Sequence, residues 1–198
     1  MNTGFLLVLS GPSGVGKGTV CEELMKDRDD IRYSISATTR KKRPNEKDGE
    51  NYYFLSLDDF NQRIEDGDFL EFAKVHGNYY GTPKKYVKEQ IKNGEIVILE
   101  IDVQGALQVK ENFDNAVYIF LLPPDLMELR RRIVGRSTED EKQINLRMEN
   151  AKKELSFIDK YDYAVVNDEI SHTVDKIDAI IQAEKLRVRN VKGVQHHD

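Results

Sequence analysis

The residues best suited to chemistry fall in one short run, Gly11-Pro12-Ser13-Gly14-Val15-Gly16-Lys17-Gly18-Thr19. Its glycines let the backbone curl so that consecutive N–H groups point inward, a concave donor set that fits phosphate oxygens. Lys17 adds a mobile ammonium for the outer phosphates. An apolar stretch precedes the run and a helical one follows, the context that the pattern G-x-x-x-x-G-K-[ST] requires. The helix adds the positive end of its dipole. One position departs from the pattern: Gly18 follows the lysine, and the hydroxyl is delayed to Thr19. Mg²⁺ is then expected to be held mainly by phosphates and water, with Thr19 a weak candidate ligand.

Other reactive side chains are scattered. Arg40 and Arg43 bracket a basic run, Arg40-Lys41-Lys42-Arg43. Guanidinium forks meet two oxygens at once, so the pair could converge on one phosphate; by spacing alone the run reads more readily as a solvated loop. Glu71 stands between Leu70 and Phe72, where an idle charge would be costly. Glu100 and Asp102 close an apolar run, the strand end at which α/β proteins bind ligands. Glu100 is a second weak metal candidate, and Asp102 is also well placed to cap a helix. Arg130, Arg131, Arg132, Arg136 and Arg147 form a cationic stretch with acids interspersed, and Arg130 and Arg131 read as an ordinary charged helix. Cys21 reads as a packing residue, and the four histidines do not make a zinc site.

These groups need a scaffold, and the apolar runs supply one. Phe5–Leu9, Ile96–Leu99, Val117–Leu121 and Tyr163–Val166 are continuous rather than alternating, the pattern of strands covered on both faces. Ile31–Ile35 alternates and suits an edge. Helices are expected from Lys17 to about Lys26, from Thr82-Pro83 to Lys92, from Leu126 to about Val134, after Ser137 or Thr138, and from Ser171. Strand–helix alternation predicts an α/β fold, a doubly wound five-stranded parallel sheet. Two excursions break it. Residues 36–82 read as a β-rich insertion with a short helix capped by Ser56, and residues 125–154 as a helical lid. The core is then 1–35, 83–124 and 155–198.

Composition narrows the classes. The 198 residues carry a net charge of −5, with 39% hydrophobic and 33% charged residues, a soluble globular chain. That balance argues against coating nucleic acid, and no apolar run approaches the ~20 residues that span a bilayer. The N-terminal residues lack the features of a secretory signal. A single cysteine excludes an intrachain disulfide and suits a cytoplasmic location.

A further set of motifs narrows the reading. Ser36-Ala37-Thr38-Thr39-Arg40 with Arg43, Gly49-Glu50-Asn51-Tyr52-Tyr53-Phe54, Phe69-Leu70-Glu71-Phe72, Gly77–Thr82, Leu99–Gly105, Gly135-Arg136 with Arg147, and Val166-Asn167-Asp168 occur in this order. Together with the Lys17 run they closely resemble guanylate kinases of the bacterial type, from about residue 5 to about 168. The resemblance implies transfer of the γ-phosphoryl group of ATP to GMP, with Mg²⁺ as cofactor. It assigns Gly11–Thr19 and Asn167 to ATP. It assigns Ser36, Glu71, Thr82 and Asp102 to guanine, and Arg40, Arg43, Tyr52 and Tyr80 to the GMP phosphate. Lys17, Arg43, Arg132, Arg136 and Arg147 become the groups that neutralise the moving charge. A carboxylate suits guanine because it pairs with two donors, N1–H and N2–H₂, that adenine lacks. Aspartate is usual in the family where this chain has Glu100. A peptide-holding scaffold domain of the same fold would tolerate an eroded cradle; here Gly16, Lys17 and the lid arginines are intact.

Overall fold

The computed structural model of the chain describes residues 3–26, 28–75, 77–135 and 141–191. Five strands form a parallel sheet: β1 (Leu6–Ser10), β2 (Ile31–Tyr33), β7 (Ile96–Glu100), β8 (Ala116–Leu122) and β9 (Tyr163–Val166), in the order β2-β7-β1-β8-β9. Three of the continuous apolar runs follow from this order. The fourth, Tyr163–Val166, expected to be covered on both faces, instead forms the second edge strand, where only Val165 is buried because no further strand flanks it. In β1 alternate side chains serve opposite faces. Phe5, Leu7 and Leu9 pack with Val20, Leu24, Ile177 and Ile181, on helices α1 (Lys17–Met25) and α7 (Ile170–Lys185). Leu6 and Val8 pack with Val87, Ile91, Ala106 and Val109, on α3 (Lys84–Lys92) and α4 (Val103–Asn112). All five of these β1-region side chains are fully buried, each stabilising the fold by about 1.5–3 kcal/mol. The alternating segment, β2, lies at the sheet edge, and only Ile31 of its three residues is buried.

A second sheet of four strands, ordered β4-β3-β6-β5, is made by β3 (Ala37–Thr38), β4 (Tyr53–Phe54), β5 (Phe69–Val75) and β6 (Asn78–Pro83). Helix α2 (Leu57–Glu65) covers it with Phe60, which stacks on Phe69 at 4.5 Å between ring centroids. Ser56 caps α2, its hydroxyl accepting from Asp59 N–H at 3.0 Å. The small sheet is tied to α4: Phe72 N–H donates to Gln108 Oε1 at 3.1 Å. Between β8 and β9 run α5 (Leu126–Gly135) and α6 (Glu141–Leu155), packed through Leu129, Ile133, Ile144 and Ala151. Asp125 caps α5 by accepting from Glu128 N–H at 2.7 Å.

Two helix starts differ from expectation. Helix α3 opens at Lys84, because Thr82 and Pro83 remain in β6, where Pro83 pairs with Phe69 and the Thr82 hydroxyl is engaged by Glu71. Helix α7 opens at Ile170, one residue before Ser171. The expected cap at Ser137 or Thr138 lies outside the described residues.

Candidate active site

The glycine-rich run joins β1 to α1 at the carboxyl end of the parallel sheet. Gly16 stands at φ 101°, a left-handed conformation that favours glycine, and a Cβ there would lie 2.7 Å from the Asn167 amide nitrogen. Asn167, nine-tenths buried, donates that nitrogen to Val15 O at 2.8 Å and accepts from the Thr173 hydroxyl at 3.0 Å. It therefore braces the loop, as well as lining a cavity of about 480 Å³ with Gly14, Gly16, Thr19, Arg131 and Arg132. The Lys17 ammonium donates to Gly11 O at 2.7 Å, and burial lowers its pKa against the opposing pull of Glu100, Glu154 and Asp102.

Helices α5 and α6 bring arginines to this loop. Arg132 donates to Val15 O and to Asn167 O, each at 3.1 Å, while Glu128 holds its Nε at 2.8 Å. Arg147 donates to the Ser13 hydroxyl at 3.0 Å. Seven residues along α6, on the same helical face, Glu154 accepts from Ser13 N–H at 3.2 Å. Sequence reasoning missed Glu154: its partner is 141 positions away, and no local pattern marks it. Burial raises its pKa, opposed by the Ser13 N–H and Lys17. Arg130 and Arg131 pair with Glu141 and Glu128, as an ordinary charged helix would. Arg136 lies outside the described residues.

A second cavity of about 450 Å³ is lined by Ser13, Gly14, Lys17, Glu100, Ile101, Asp102 and Glu154. Asp102 caps α4, its Oδ1 accepting from Gly105 N–H at 2.8 Å. Glu100 is half-buried, and Oε2 accepts the Tyr33 hydroxyl at 3.0 Å. A Cβ on Gly18 would lie 3.6 Å from Glu100 Oε2. The carboxylate thus stands beside the position where the usual loop hydroxyl is missing, and hard oxygen donors of this kind fit Mg²⁺. The two weak metal candidates are separated, however: Thr19 opens on the Asn167 cavity and Glu100 on this one.

In the four-stranded sheet, Glu71 is 8% exposed and its Oε1 accepts the Thr82 hydroxyl at 2.6 Å. Its Oε2 would be 3.3 Å from a Cβ on Gly105, beside Asp102 Oδ1 at 3.5 Å, so the first turn of α4 brings the two carboxylates together. Burial, with Asp102 adding to it, pushes the Glu71 carboxyl up to about 7. Ser36 is half-buried just before β3, its carbonyl accepting from Tyr53 N–H at 2.9 Å. Arg40 lies over Tyr52 at 5.4 Å from the ring centroid, with the Tyr80 hydroxyl beside it, and Tyr52 meets Tyr80 edge-on at 6.0 Å. Arg40 also pairs with Glu46, a partner not anticipated from sequence. Arg43 is exposed on the same loop. Elsewhere, a cavity of about 530 Å³ between α1 and α7 is lined by Arg28, Asp30 and Lys185, charges that pair with one another.

A family profile described as guanylate kinase matches residues 4–184. The chain is 54% identical to a guanylate kinase of Clostridium acetobutylicum, over 96% of this chain and 90% of that one. It is 53% identical to one from Oceanobacillus iheyensis, over 93% and 89%. Among solved structures it is similar to the guanylate kinase of Anaplasma phagocytophilum, with a TM-score of 0.76 and 35% identity, covering 98% of this chain and 92% of that one.

Proposed function

The chain belongs to the guanylate kinase family, and on that premise we propose that it transfers the γ-phosphoryl group of ATP to GMP, giving ADP and GDP. The observation that carries the acceptor's identity is the buried Glu71, with one oxygen on the Thr82 hydroxyl and the other beside Asp102. Guanine offers N1–H and N2–H₂ to that pair of carboxylates. Ser36 and Thr82 complete the rim. Arg40, Arg43, Tyr52 and Tyr80 take the GMP phosphate, and Gly11–Thr19 takes the phosphates of ATP, with Asn167 on the nucleoside side.

The attacking oxygen belongs to a phosphate already anionic near neutral pH, so no general base is needed. The chain's work is positioning and charge neutralisation. Lys17 faces the outer phosphates. Arg132 and Arg147, with Arg136, bring positive charge from the lid, and closure of residues 36–82 and 125–154 over the 1–35, 83–124 and 155–198 core excludes water. Mg²⁺ carried with ATP supplies further neutralisation, and Glu100 would hold it through water. Thr19 serves the nucleotide from its other side. The free Cys21 suits the cytoplasm.

Coupled detection of ADP release with each nucleoside monophosphate in turn tests this reading. GMP should support turnover at least 100-fold better than AMP, CMP or UMP, since a pocket built for hydrogen bonds leaves buried groups unpaired with the wrong base. Comparable rates with AMP would overturn the guanine assignment.

A further inference from the structure

The basic loop holds a carboxylate that the reaction does not use. Glu46 Oε1 accepts from Arg40 Nη2 at 2.7 Å and Oε2 from Arg40 Nη1 at 3.0 Å, two parallel bonds on one edge of the guanidinium. Oε2 also accepts the Arg43 backbone N–H at 2.8 Å. The pair is largely covered, its side chains 17% and 15% exposed, and the guanidinium lies over the rings of Tyr52 and Phe54.

The count of donors shows what this arrangement leaves available. A guanidinium has five N–H groups. Glu46 takes two and the Lys41 carbonyl a third, at 2.8 Å from Nη1. The two that remain, on Nε and Nη2, form the other forked edge, and the Tyr80 hydroxyl lies near the guanidinium. An edge of that shape meets two phosphate oxygens. Glu46 therefore leaves the Nε–Nη2 edge available; it takes the adjacent Nη1–Nη2 edge, restrains rotation of the side chain and offsets its charge. Its bond to Arg43 N–H also fixes the turn between the two arginines.

We propose that Glu46 is a positioning residue for the acceptor phosphate, holding Arg40 by one edge so that the other is presented to GMP. This rests on the assignment of Arg40 to the GMP phosphate, and the test separates the two. GMP and guanosine are titrated calorimetrically into the full chain, into Glu46→Gln and into Arg40→Gln, with steady-state kinetics alongside. Glu46→Gln should weaken GMP about tenfold, raise KM for GMP more than it lowers kcat, and leave guanosine affinity and KM for ATP unchanged. Arg40→Gln should weaken GMP at least as much, and the double variant little further. If Arg40→Gln keeps full GMP affinity, the phosphate assignment itself falls. If Arg40→Gln weakens GMP and Glu46→Gln does not, Glu46 has no positioning role. Tighter GMP binding in Glu46→Gln would make the carboxylate a competitor of the phosphate, and equal losses of GMP and guanosine would make it a prop of the fold; either result overturns the proposal. Should Glu46→Gln fail to fold, Glu46→Asp, which keeps the charge but shortens its reach, carries the same comparison.

Discussion

In the loop Gly11–Thr19 the donors proposed for phosphate are backbone N–H groups and one lysine. In the four-stranded sheet they are side chains from positions as far apart as Arg40 and Tyr80. The first seat is shaped by conformation, with Gly16 left-handed and Asn167 wedged behind it. In the second, neighbours bond two of the side chains: the Thr82 hydroxyl donates to Glu71, and Arg40 donates to Glu46. Groups of both seats are paired internally. Glu154 and Arg147 engage Ser13, Lys17 turns to Gly11 O, and Glu46 engages Arg40. On the proposed reading, ATP exchanges partners in the first seat, whereas in the second Arg40 keeps Glu46 and offers its other edge; in both, buried groups left unpaired penalise the wrong ligand.

The largest break in this comparison is Lys17→Ala. Backbone N–H groups remain, but the one mobile charge of the first seat is lost. Turnover should fall by at least about 10²–10³-fold, the order seen when one preorganised donor is removed, while GMP affinity measured without ATP stays near wild type. A parallel loss of GMP affinity would mean that the two seats are not independent.

Glu71 tests the second seat through pH. Its folded pKa of about 7 lies above the ordinary 4.5. Between those values the folded chain keeps a proton that the unfolded chain has released, so the contribution of Glu71 to stability is greatest below pH 4.5 and falls as pH rises through 7, by on the order of 3 kcal/mol. Glu71→Gln should flatten this slope in urea unfolding at pH 5 and pH 8. Guanine needs the ionised carboxylate, so guanosine affinity should drop about tenfold per unit below pH 7. Guanosine is the appropriate probe because the phosphate of GMP has its own ionisation near pH 6. A pH-independent guanosine affinity would remove Glu71 from guanine reading.

The same contrast explains what was legible in the sequence. The first seat is local: an apolar strand, nine residues and a helix sit side by side in the chain, and each obeys its own short-range rule. The buried runs Phe5–Leu9 and Val117–Leu121 announced a two-sided sheet because both faces are covered. Asp102 announced a cap and became one. The second seat is made by pairing of strands distant in sequence; Glu71, Arg40 and Arg43 stand out by their neighbours or spacing, but their assignment to one acceptor, with Ser36, Tyr52, Tyr80 and Thr82, comes from resemblance. Glu46 sits in an exposed, highly charged run where nothing distinguishes it from Glu50, and only the fold selects it. Thr82-Pro83 misled for the same reason, since a good helix-capping pair was claimed by Glu71 and by strand pairing.

A smaller effect is expected from Glu154→Gln. The carboxylate holds a cradle N–H beside Lys17, so an incoming triphosphate meets a negative charge. Glutamine keeps an oxygen for Ser13 N–H and removes that charge. ATP should bind about two- to tenfold tighter, most clearly at low salt, where the ~10 Å screening length at 0.1 M lengthens. The advantage should shrink as pH falls and the wild-type carboxyl takes up a proton. Weaker ATP binding would instead assign Glu154 a part in holding the loaded nucleotide.

Gly18→Ser is the finest test, because it edits the one place where the first seat departs from its own pattern. A Cβ there meets only Glu100 Oε2 at 3.6 Å and Oε1 at 3.7 Å, ordinary contacts, so the serine fits without moving the carboxylate. Position 18 lies in the first turn of α1, where replacing glycine also favours the helix by about 0.5 kcal/mol. If Glu100 and the nucleotide's own phosphates hold Mg²⁺ in place of the missing hydroxyl, the added oxygen lowers the Mg²⁺ concentration for half-maximal ATP binding by about two- to tenfold, the worth of one polar contact. GMP affinity, set by side chains of the other seat, stays fixed. An unchanged Mg²⁺ requirement would mean that position 18 does not face the metal, and that Glu100, bonded to the Tyr33 hydroxyl, does not stand in for a loop hydroxyl.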